Sequence, residues 1–298
     1  MKKLGYSIVG LALLGVLPSA ASALTVTPTT DGATLLGALV TTPSDFGSIS
    51  AAFTLGNPNQ VGTYSGFSSP PVTIGNGVVM STGNAVDAVG PYNNGVSNGQ
   101  VSTGFGGGST AEINAYAPGH ITNWSNSNDT AVLQVAFNLK NASAIAFSFI
   151  FGSVEFPVFT SEFTDSFLAF LDGSQITFDK SGNPVQVGSS FASQLRTDDT
   201  NTIFTGVGAN PGNDAHGLLD VLTTTSGTLS AGDHTISFEI SDTNDTALDS
   251  AVFLSNFRLA TSSGGGPDTE PEVPEPASLA LLGLGLAGLG FMRRKRAA

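Results

Sequence analysis

Apolar side chains occupy every second position over several separate stretches of this 298-residue chain. The stretches with this alternation are residues 133–139, 145–151 and 236–240, and residues 251–259 are apolar on both faces in their first half. A period of two puts alternate side chains on opposite faces of a β-strand, whereas an amphipathic helix has a period near 3.6. The pattern therefore predicts a protein built from β-strands.

Glycine content and turn dipeptides support the same fold class. The chain has 37 Gly, well above the usual share of roughly 7%, and each Gly inside a helix costs about 1 kcal/mol relative to Ala. Only residues 33–40 suggest a helix, no repeat of fixed period is present, and residues 93–110 read as a long loop. We expect an all-β fold, a single jelly-roll-like β-sandwich over residues 24–260. Turn dipeptides separate its strands at Asn76-Gly77, Asn94-Gly95, Asn98-Gly99, Asp172-Gly173 and Gly232-Asp233.

The first 23 residues have the three parts of a secretory signal peptide. Lys2 and Lys3 are followed by an apolar run over residues 8–17, and Ala21-Ser22-Ala23 supplies the small residues of a cleavage site. The apolar run is too short to span a bilayer stably. We therefore expect signal peptidase to release a mature chain that begins at Leu24, outside the cytoplasm.

The last 38 residues also divide into distinct parts. Residues 261–272 form a flexible linker rich in Gly, Pro and acidic residues, and residues 277–292 carry no charge. Sixteen residues of helix extend about 24 Å, less than the roughly 30 Å of the hydrocarbon core, so this transmembrane helix is short and inserts weakly. The basic residues after it should stay on the cytoplasmic side, which leaves the body of the protein outside.

A short motif and a basic cluster flank the apolar C-terminal segment. The motif residues are Val273, Pro274, Glu275 and Pro276, and the basic tail contains Arg293, Arg294, Lys295 and Arg296. Because a Pro-Glu-Pro motif, a short apolar helix and a basic cluster follow in that order, residues 273–298 look like a PEP-CTERM sorting signal. The resemblance implies recognition and cleavage by a membrane enzyme, exosortase, in a Gram-negative bacterium that makes exopolysaccharide.

The body of the chain contains eight short segments whose order is similar to that of a second family. These segments are residues 33–36, 64–66, 77–83, 89–91, 128–133, 149–157, 165–167 and 247–254. In this order they resemble the choice-of-anchor L domain, over about residues 31–260. That family is named for its association with different surface-anchoring signals, so the resemblance implies a β-rich surface domain and assigns no activity.

Charge and cysteine content exclude several classes of function. The chain has a net charge of -13, and residues 24–263 carry 19 acidic and only four basic residues. Such a body would not neutralise phosphates, so we expect no nucleic-acid partner, and it should repel anionic polysaccharide unless cations intervene. The absence of Cys excludes disulfides, Cys-ligated zinc and a cysteine nucleophile.

Motifs for catalysis are weak in this sequence. Residues 95–99 fit G-x-S-x-G, but turn residues flank them where a nucleophile elbow needs a strand and a helix. His120, His216 and His234 lie in turn-like segments, and Glu239 is expected to face solvent from a strand. Trp124, among Ser and Asn residues, is a candidate sugar-binding platform or a cap over the sandwich edge. We therefore predict no catalytic residues and a protein that is not an enzyme.

The best chemical hypothesis from the residues is calcium. Residues 242–249 place three Asp and one Asn in a short loop, and Ca²⁺ prefers six to eight oxygen ligands. The alternative is an acidic surface loop closed by Asx turns. The candidate ligands are Asp242, Asn244, Asp245 and Asp249, with Glu155, Glu162 and Asp165 expected to join them in space.

These observations predict an exported surface or extracellular-matrix protein with a structural or adhesive role in an exopolysaccharide layer or biofilm. Signal peptidase and exosortase would process it, its C-terminal helix would contact the membrane before processing, and its partners would be exopolysaccharide or other surface proteins. The alternative is a secreted carbohydrate-active protein, either a lectin-like binder or a glycosidase. A cleft with two converging carboxylates and aromatic walls would favour that alternative.

Overall fold

Two antiparallel β-sheets form the domain. The computed structural model describes residues 23–69, 72–89, 101–156, 159–188, 202–204, 217–219 and 221–260, and the predicted linker and sorting segment lie outside these ranges. So does the predicted signal peptide, apart from its last residue. Within the described ranges, no helix is long and apolar enough to cross a membrane.

The strands of the described residues follow one another along the chain with few helices between them. In chain order they are β1 (Thr25–Pro28), β2 (Ser48–Leu55), β3 (Val61–Ser69), β4 (Val72–Ser81), β5 (Ser127–Leu139), β6 (Ala144–Ser153), β7 (Ser166–Leu171), β8 (Ser174–Gln175), β9 (Val185–Gln186), β10 (Gly217–Leu218), β11 (Leu222–Thr225), β12 (Gly232–Thr243) and β13 (Ser250–Ala260). The larger sheet has the order β1-β3-β4-β13-β6-β10, with β11 also pairing β6. The smaller sheet has the order β2-β5-β12-β7-β8, with β9 also pairing β7.

The main core lies between the two sheets and confirms the sandwich prediction. It includes the alternating apolar positions of β5, β6 and β12 that the sequence pattern identified, together with residues from the other strands and from α1. Phe147 of the larger sheet and Phe238 of the smaller sheet are fully buried and meet edge to face, with their ring centroids 4.9 Å apart. Burying aromatic rings of this size is the main source of stability for such a core.

Each sheet also carries a smaller apolar cluster on its outer face. Val79, Ile150 and Phe253 of the larger sheet pack together on the face opposite the main core. Leu168 and Phe170 do the same on the smaller sheet. Both sheets are therefore covered on two sides over part of their area, which explains why β6 and β13 are apolar at successive positions.

Two short α-helices belong to the described part of the chain. The predicted helix is present as α1 (Gly32–Leu39), and the carboxylate of Asp31 caps it by accepting a 2.8 Å hydrogen bond from the Thr34 backbone N–H. The second, α2 (Ala111–Tyr116), was not predicted, because six residues with one fully buried side chain, Ile113, are too few to show a period. It covers the outer face of the smaller sheet.

The turn dipeptides had mixed outcomes. Asp172-Gly173 joins β7 to β8 with φ values of 48° and 80°, as a two-residue hairpin requires. The prediction for Asn76-Gly77 was wrong, because both residues lie inside β4. A Cβ on Gly77 would lie 1.9 Å from the Leu254 carbonyl oxygen, so this glycine permits close packing of strands. Gly232-Asp233 opens β12, and Asn94-Gly95 and Asn98-Gly99 lie outside the described residues.

Candidate metal centre

Two connections between the sheets run side by side at one end of the sandwich. The chain crosses from the larger to the smaller sheet between β6 and β7, and it crosses back between β12 and β13. Ser241 near the end of β12 pairs with Ser166 at the start of β7, and Ser250 at the start of β13 pairs with Ser153 at the end of β6. This double register brings the acidic residues of the two connections together.

Three carboxylates from these connections meet. One oxygen from each of Glu155, Asp165 and Asp245 lies within 4.8 Å of the other two. Glu155 follows β6, Asp165 precedes β7, and Asp245 lies in the loop after β12. The structure therefore brings together the two segments that sequence analysis proposed to join in space.

A fourth carboxylate, that of Asp242, faces this group from the end of β12. The negative charges of Asp165, Glu155 and Asp129 disfavour its ionisation. Asp242 follows a β-bulge in the pairing of β12 with β5, and bulges commonly redirect side chains beside functional sites. We call Glu155, Asp165, Asp242 and Asp245 the acidic group.

Most of the acidic group is deeply buried and poorly satisfied. Glu155, Asp165 and Asp242 are 1%, 0% and 1% exposed. Neither carboxylate oxygen of Glu155 or of Asp242 has a partner with ordinary hydrogen-bond geometry among the described residues. The Asp165 backbone N–H near Glu155 and the Thr82 hydroxyl near Asp242 interact with these carboxylates only weakly. Buried polar atoms are hydrogen-bonded in the great majority of cases, so each such oxygen calls for an explanation.

Burial and mutual repulsion hold these acids away from their usual ionisation. Burial raises the pKa of Asp165 to about 8. Burial, reinforced by the neighbouring Asp165 carboxylate, raises the pKa of Glu155 and of Asp242 well above their ordinary values. Neutralisation by protons or by a bound cation would relieve this repulsion.

Asp165 is held in place by both connections. Its Oδ1 accepts a 3.2 Å hydrogen bond from the Thr243 backbone N–H, and its Oδ2 accepts a 2.7 Å bond from the Ser250 hydroxyl. Thr243 ends β12 and Ser250 begins β13, so one carboxylate joins both sheets at this end. A carboxylate has about four acceptor positions, which leaves Asp165 free to accept more.

A neighbouring acidic pair fastens the loop that follows residue 100. Asp129 Oδ1 accepts a 2.8 Å hydrogen bond from the Phe105 N–H, and Asp249 Oδ1 accepts a 2.9 Å bond from the Thr103 N–H. Sequence analysis proposed Asp249 as a ligand, but the structure does not place it with Glu155, Asp165 and Asp245. Asp129 was not among the predicted site residues. The sequence distinguished it only by its position in a segment that resembles the choice-of-anchor L family.

Two further predicted ligands, Asn244 and Glu162, have other surroundings. The amide oxygen of Asn244 accepts hydrogen bonds from the Ser125 N–H and hydroxyl, and its amide nitrogen donates to the carbonyls of Asn123 and Glu162. Asn244 therefore fastens neighbouring loops to each other. The side chain of Glu162 is exposed.

The remaining sequence predictions concern individual Glu, His and Trp side chains. Glu239 was expected to face solvent, and this was wrong: it is 1% exposed, because Thr110 and α2 cover that side of β12. His234 lies in β12 rather than in a turn, whereas His120 lies in a turn after α2 and His216 is outside the described residues. Trp124 packs on the outer cluster of the smaller sheet and donates a 2.9 Å hydrogen bond to the Ser127 hydroxyl.

Comparison with known protein families matches both parts of the chain. The choice-of-anchor L domain family matches residues 34–258, and the PEP-CTERM protein-sorting motif matches residues 272–296. No curated protein matches this chain. The sorting motif implies processing by exosortase, export, and a location at the cell surface or outside the cell. The chain thus belongs to the choice-of-anchor L domain family and carries a PEP-CTERM sorting signal C-terminal to that domain in the sequence.

Proposed function

We propose that this protein is a non-enzymatic component of the cell surface or extracellular matrix, with a structural or adhesive role in an exopolysaccharide layer. The observation that carries the proposal is the order of the chain, in which a surface-associated domain over residues 34–258 is followed directly by a sorting motif over residues 272–296. This order supports delivery of one folded domain to the outside of the cell.

The burial of the acidic group supports a role without catalysis. Glycoside hydrolysis requires two carboxylates that reach the scissile bond from both sides. Glu155 and Asp165 are 1% and 0% exposed, so a sugar ring could not reach them without opening the sandwich. The large Phe side chains at the centre of the domain pack against one another in the core, so they do not form the walls of a sugar-binding cleft.

The negative charge of the domain limits which partners it can bind directly. Residues 24–263 carry 19 acidic and four basic residues. Direct contact with an anionic polymer would be repulsive, so the partner is a neutral polysaccharide, another surface protein, or an anionic polymer bridged by divalent cations.

The test compares native host cells that carry the wild-type gene, a gene deletion, or a variant with Pro274, Glu275 and Pro276 replaced by Ala. The proposal predicts weaker cohesion of the matrix in the deletion strain and in the sorting variant, and wild-type protein in the matrix fraction. Normal cohesion in both strains would contradict the structural role. Hydrolysis of a glycan panel by the purified protein, abolished by one Glu or Asp substitution, would instead establish the carbohydrate-active alternative.

A further inference from the structure

The spacing of three carboxylate oxygens in the acidic group suits a single bound metal ion. Calcium takes oxygen ligands at 2.3–2.6 Å, so three oxygens spaced evenly around one ion lie about 4.0–4.5 Å apart. Oxygens from Glu155, Asp165 and Asp245 lie within 4.8 Å of one another, which is close to the spacing that three ligands of a single calcium ion require.

The unpartnered oxygens supply an independent argument. Glu155 and Asp242 are each 1% exposed, and none of their four carboxylate oxygens has a partner with ordinary hydrogen-bond geometry among the described residues. Oδ1 of Asp245, a half-buried residue, is also buried without a partner. An uncompensated buried carboxylate is strongly destabilising, and a bound cation would provide the missing partner for several of these oxygens at once.

We propose that Glu155, Asp165 and Asp245 bind one calcium ion between the two connections, with Asp242 as the fourth carboxylate against it. The donors are all oxygens, and no His belongs to the group, which disfavours zinc and copper. Magnesium is disfavoured because it demands tight octahedral geometry and retains its waters.

The position of the site gives the ion a structural task. Glu155 and Asp165 flank the connection from β6 to β7, and Asp245 belongs to the connection from β12 to β13. An ion shared by these side chains ties both crossings between the sheets together. Extracellular calcium modules bind with dissociation constants of about 0.1–1 mM, so the site would fill after export.

Thermal unfolding and calorimetry of the full-length protein, purified in a mild detergent, test the proposal in EDTA, in 10 mM CaCl2 and in 10 mM MgCl2. We expect one calcium per chain, a rise in midpoint of about 3–10 °C with calcium, and a smaller rise with magnesium. No calcium heat, or equal small rises with both metals, would overturn the site and leave neutralisation by protons as the explanation.

Asp245→Asn separates ion binding from a purely structural role, because Asp245 is half-buried and its replacement removes one repelling charge. We expect its midpoint in EDTA to equal or exceed that of wild type, and its calcium affinity to fall at least tenfold. Glu155→Gln is the second variant should Asp245→Asn fail to fold.

Glu162→Gln is the matched control, since Glu162 lies between Glu155 and Asp165 in the chain but is exposed. It should respond to calcium as wild type does. A wild-type calcium response in both Asp245→Asn and Glu155→Gln would refute the assignment. These experiments measure only ion binding and unfolding. A negative result would therefore contradict the calcium site without contradicting the proposed matrix role.

Discussion

The hydroxyl of Thr110 donates a 2.5 Å hydrogen bond to Oε2 of Glu239, which joins the start of α2 to the middle of β12. The same hydroxyl accepts a 3.0 Å bond from the Ile113 N–H and so caps the helix. Glu239 is 1% exposed, and burial raises its pKa to about 7. One threonine therefore both begins the helix and covers a carboxylate on the outer face of the smaller sheet.

Replacing Glu239 by Gln should stabilise the protein above neutral pH. In the unfolded chain Glu239 has a pKa near 4.5, so between pH 4.5 and 7 the folded state holds more of its proton. Stability contributed by the neutral acid is therefore lost as the pH rises through about 7. Gln cannot ionise and still accepts the hydrogen bond from Thr110.

The expected advantage of Glu239→Gln is about 1–3 kcal/mol above pH 7, falling towards zero near pH 4.5. Urea unfolding of wild type and variant across this range, in the presence of EDTA, measures it. Glu162→Gln, which changes an exposed side chain, is the control. A difference that does not vary with pH would show that Glu239 is not a buried acid.

Replacing Phe238 by Ala should remove much of the stability of the sandwich. Phe238 is fully buried, and its ring contacts those of Phe147, Phe167 and Phe257. Losing a buried aromatic ring costs about 3–5 kcal/mol in the free energy of unfolding. Phe178 is 42% exposed, so Phe178→Ala should cost less than about 0.5 kcal/mol. Equal losses in chemical unfolding of the two variants would contradict the described core.

His234 should titrate above its ordinary range because of Asp172. Its Nδ1 lies 2.7 Å from Asp172 Oδ2 and its Nε2 lies 2.9 Å from the Ser230 carbonyl oxygen, so both ring nitrogens face acceptors. The hydrogen bond to Asp172 is the main cause that raises the pKa of His234. Its contribution to stability is full below pH 6.5 and is lost as the pH rises through the folded pKa.

Proton NMR titration of the His234 ring in wild type and in Asp172→Asn measures this coupling. The pKa of His234 should fall towards 6.5 in the variant. An unchanged titration would show that Asp172 and His234 do not pair in solution.

The sheet architecture followed from the sequence because burial on one face imposes a period of two. Residues 133–139 illustrate this, since the apolar positions face the main core and the positions between them are more exposed. The turn prediction for Asn76-Gly77 was wrong because the sequence alone does not distinguish a glycine that permits close approach of strands from a glycine in a turn. Helix α2 was not predicted because it is too short to show a helical period.

The candidate site was predicted only in part, because its geometry depends on strand pairing. Asp245 and Asp165 lie 80 positions apart in the sequence, and only the register of β12 against β7 brings their connections together. Asn244 shared the acidic loop and matched the composition of a ligand, yet its amide fastens other loops. Glu239 was misassigned because alternation shows which face a side chain occupies and does not reveal a helix that covers the face.

Processing at the two ends of the chain is the most direct consequence of the signal peptide and the sorting signal. Intact-mass spectrometry of the protein recovered from the surface or matrix fraction of its native host measures this processing in one experiment. We predict a mature chain that begins at Leu24 and lacks the segment after about Pro276, because we expect signal peptidase to remove residues 1–23 and exosortase to remove the apolar helix and basic tail. Recovery of mature protein that still carries Arg293–Arg296 would contradict processing by exosortase.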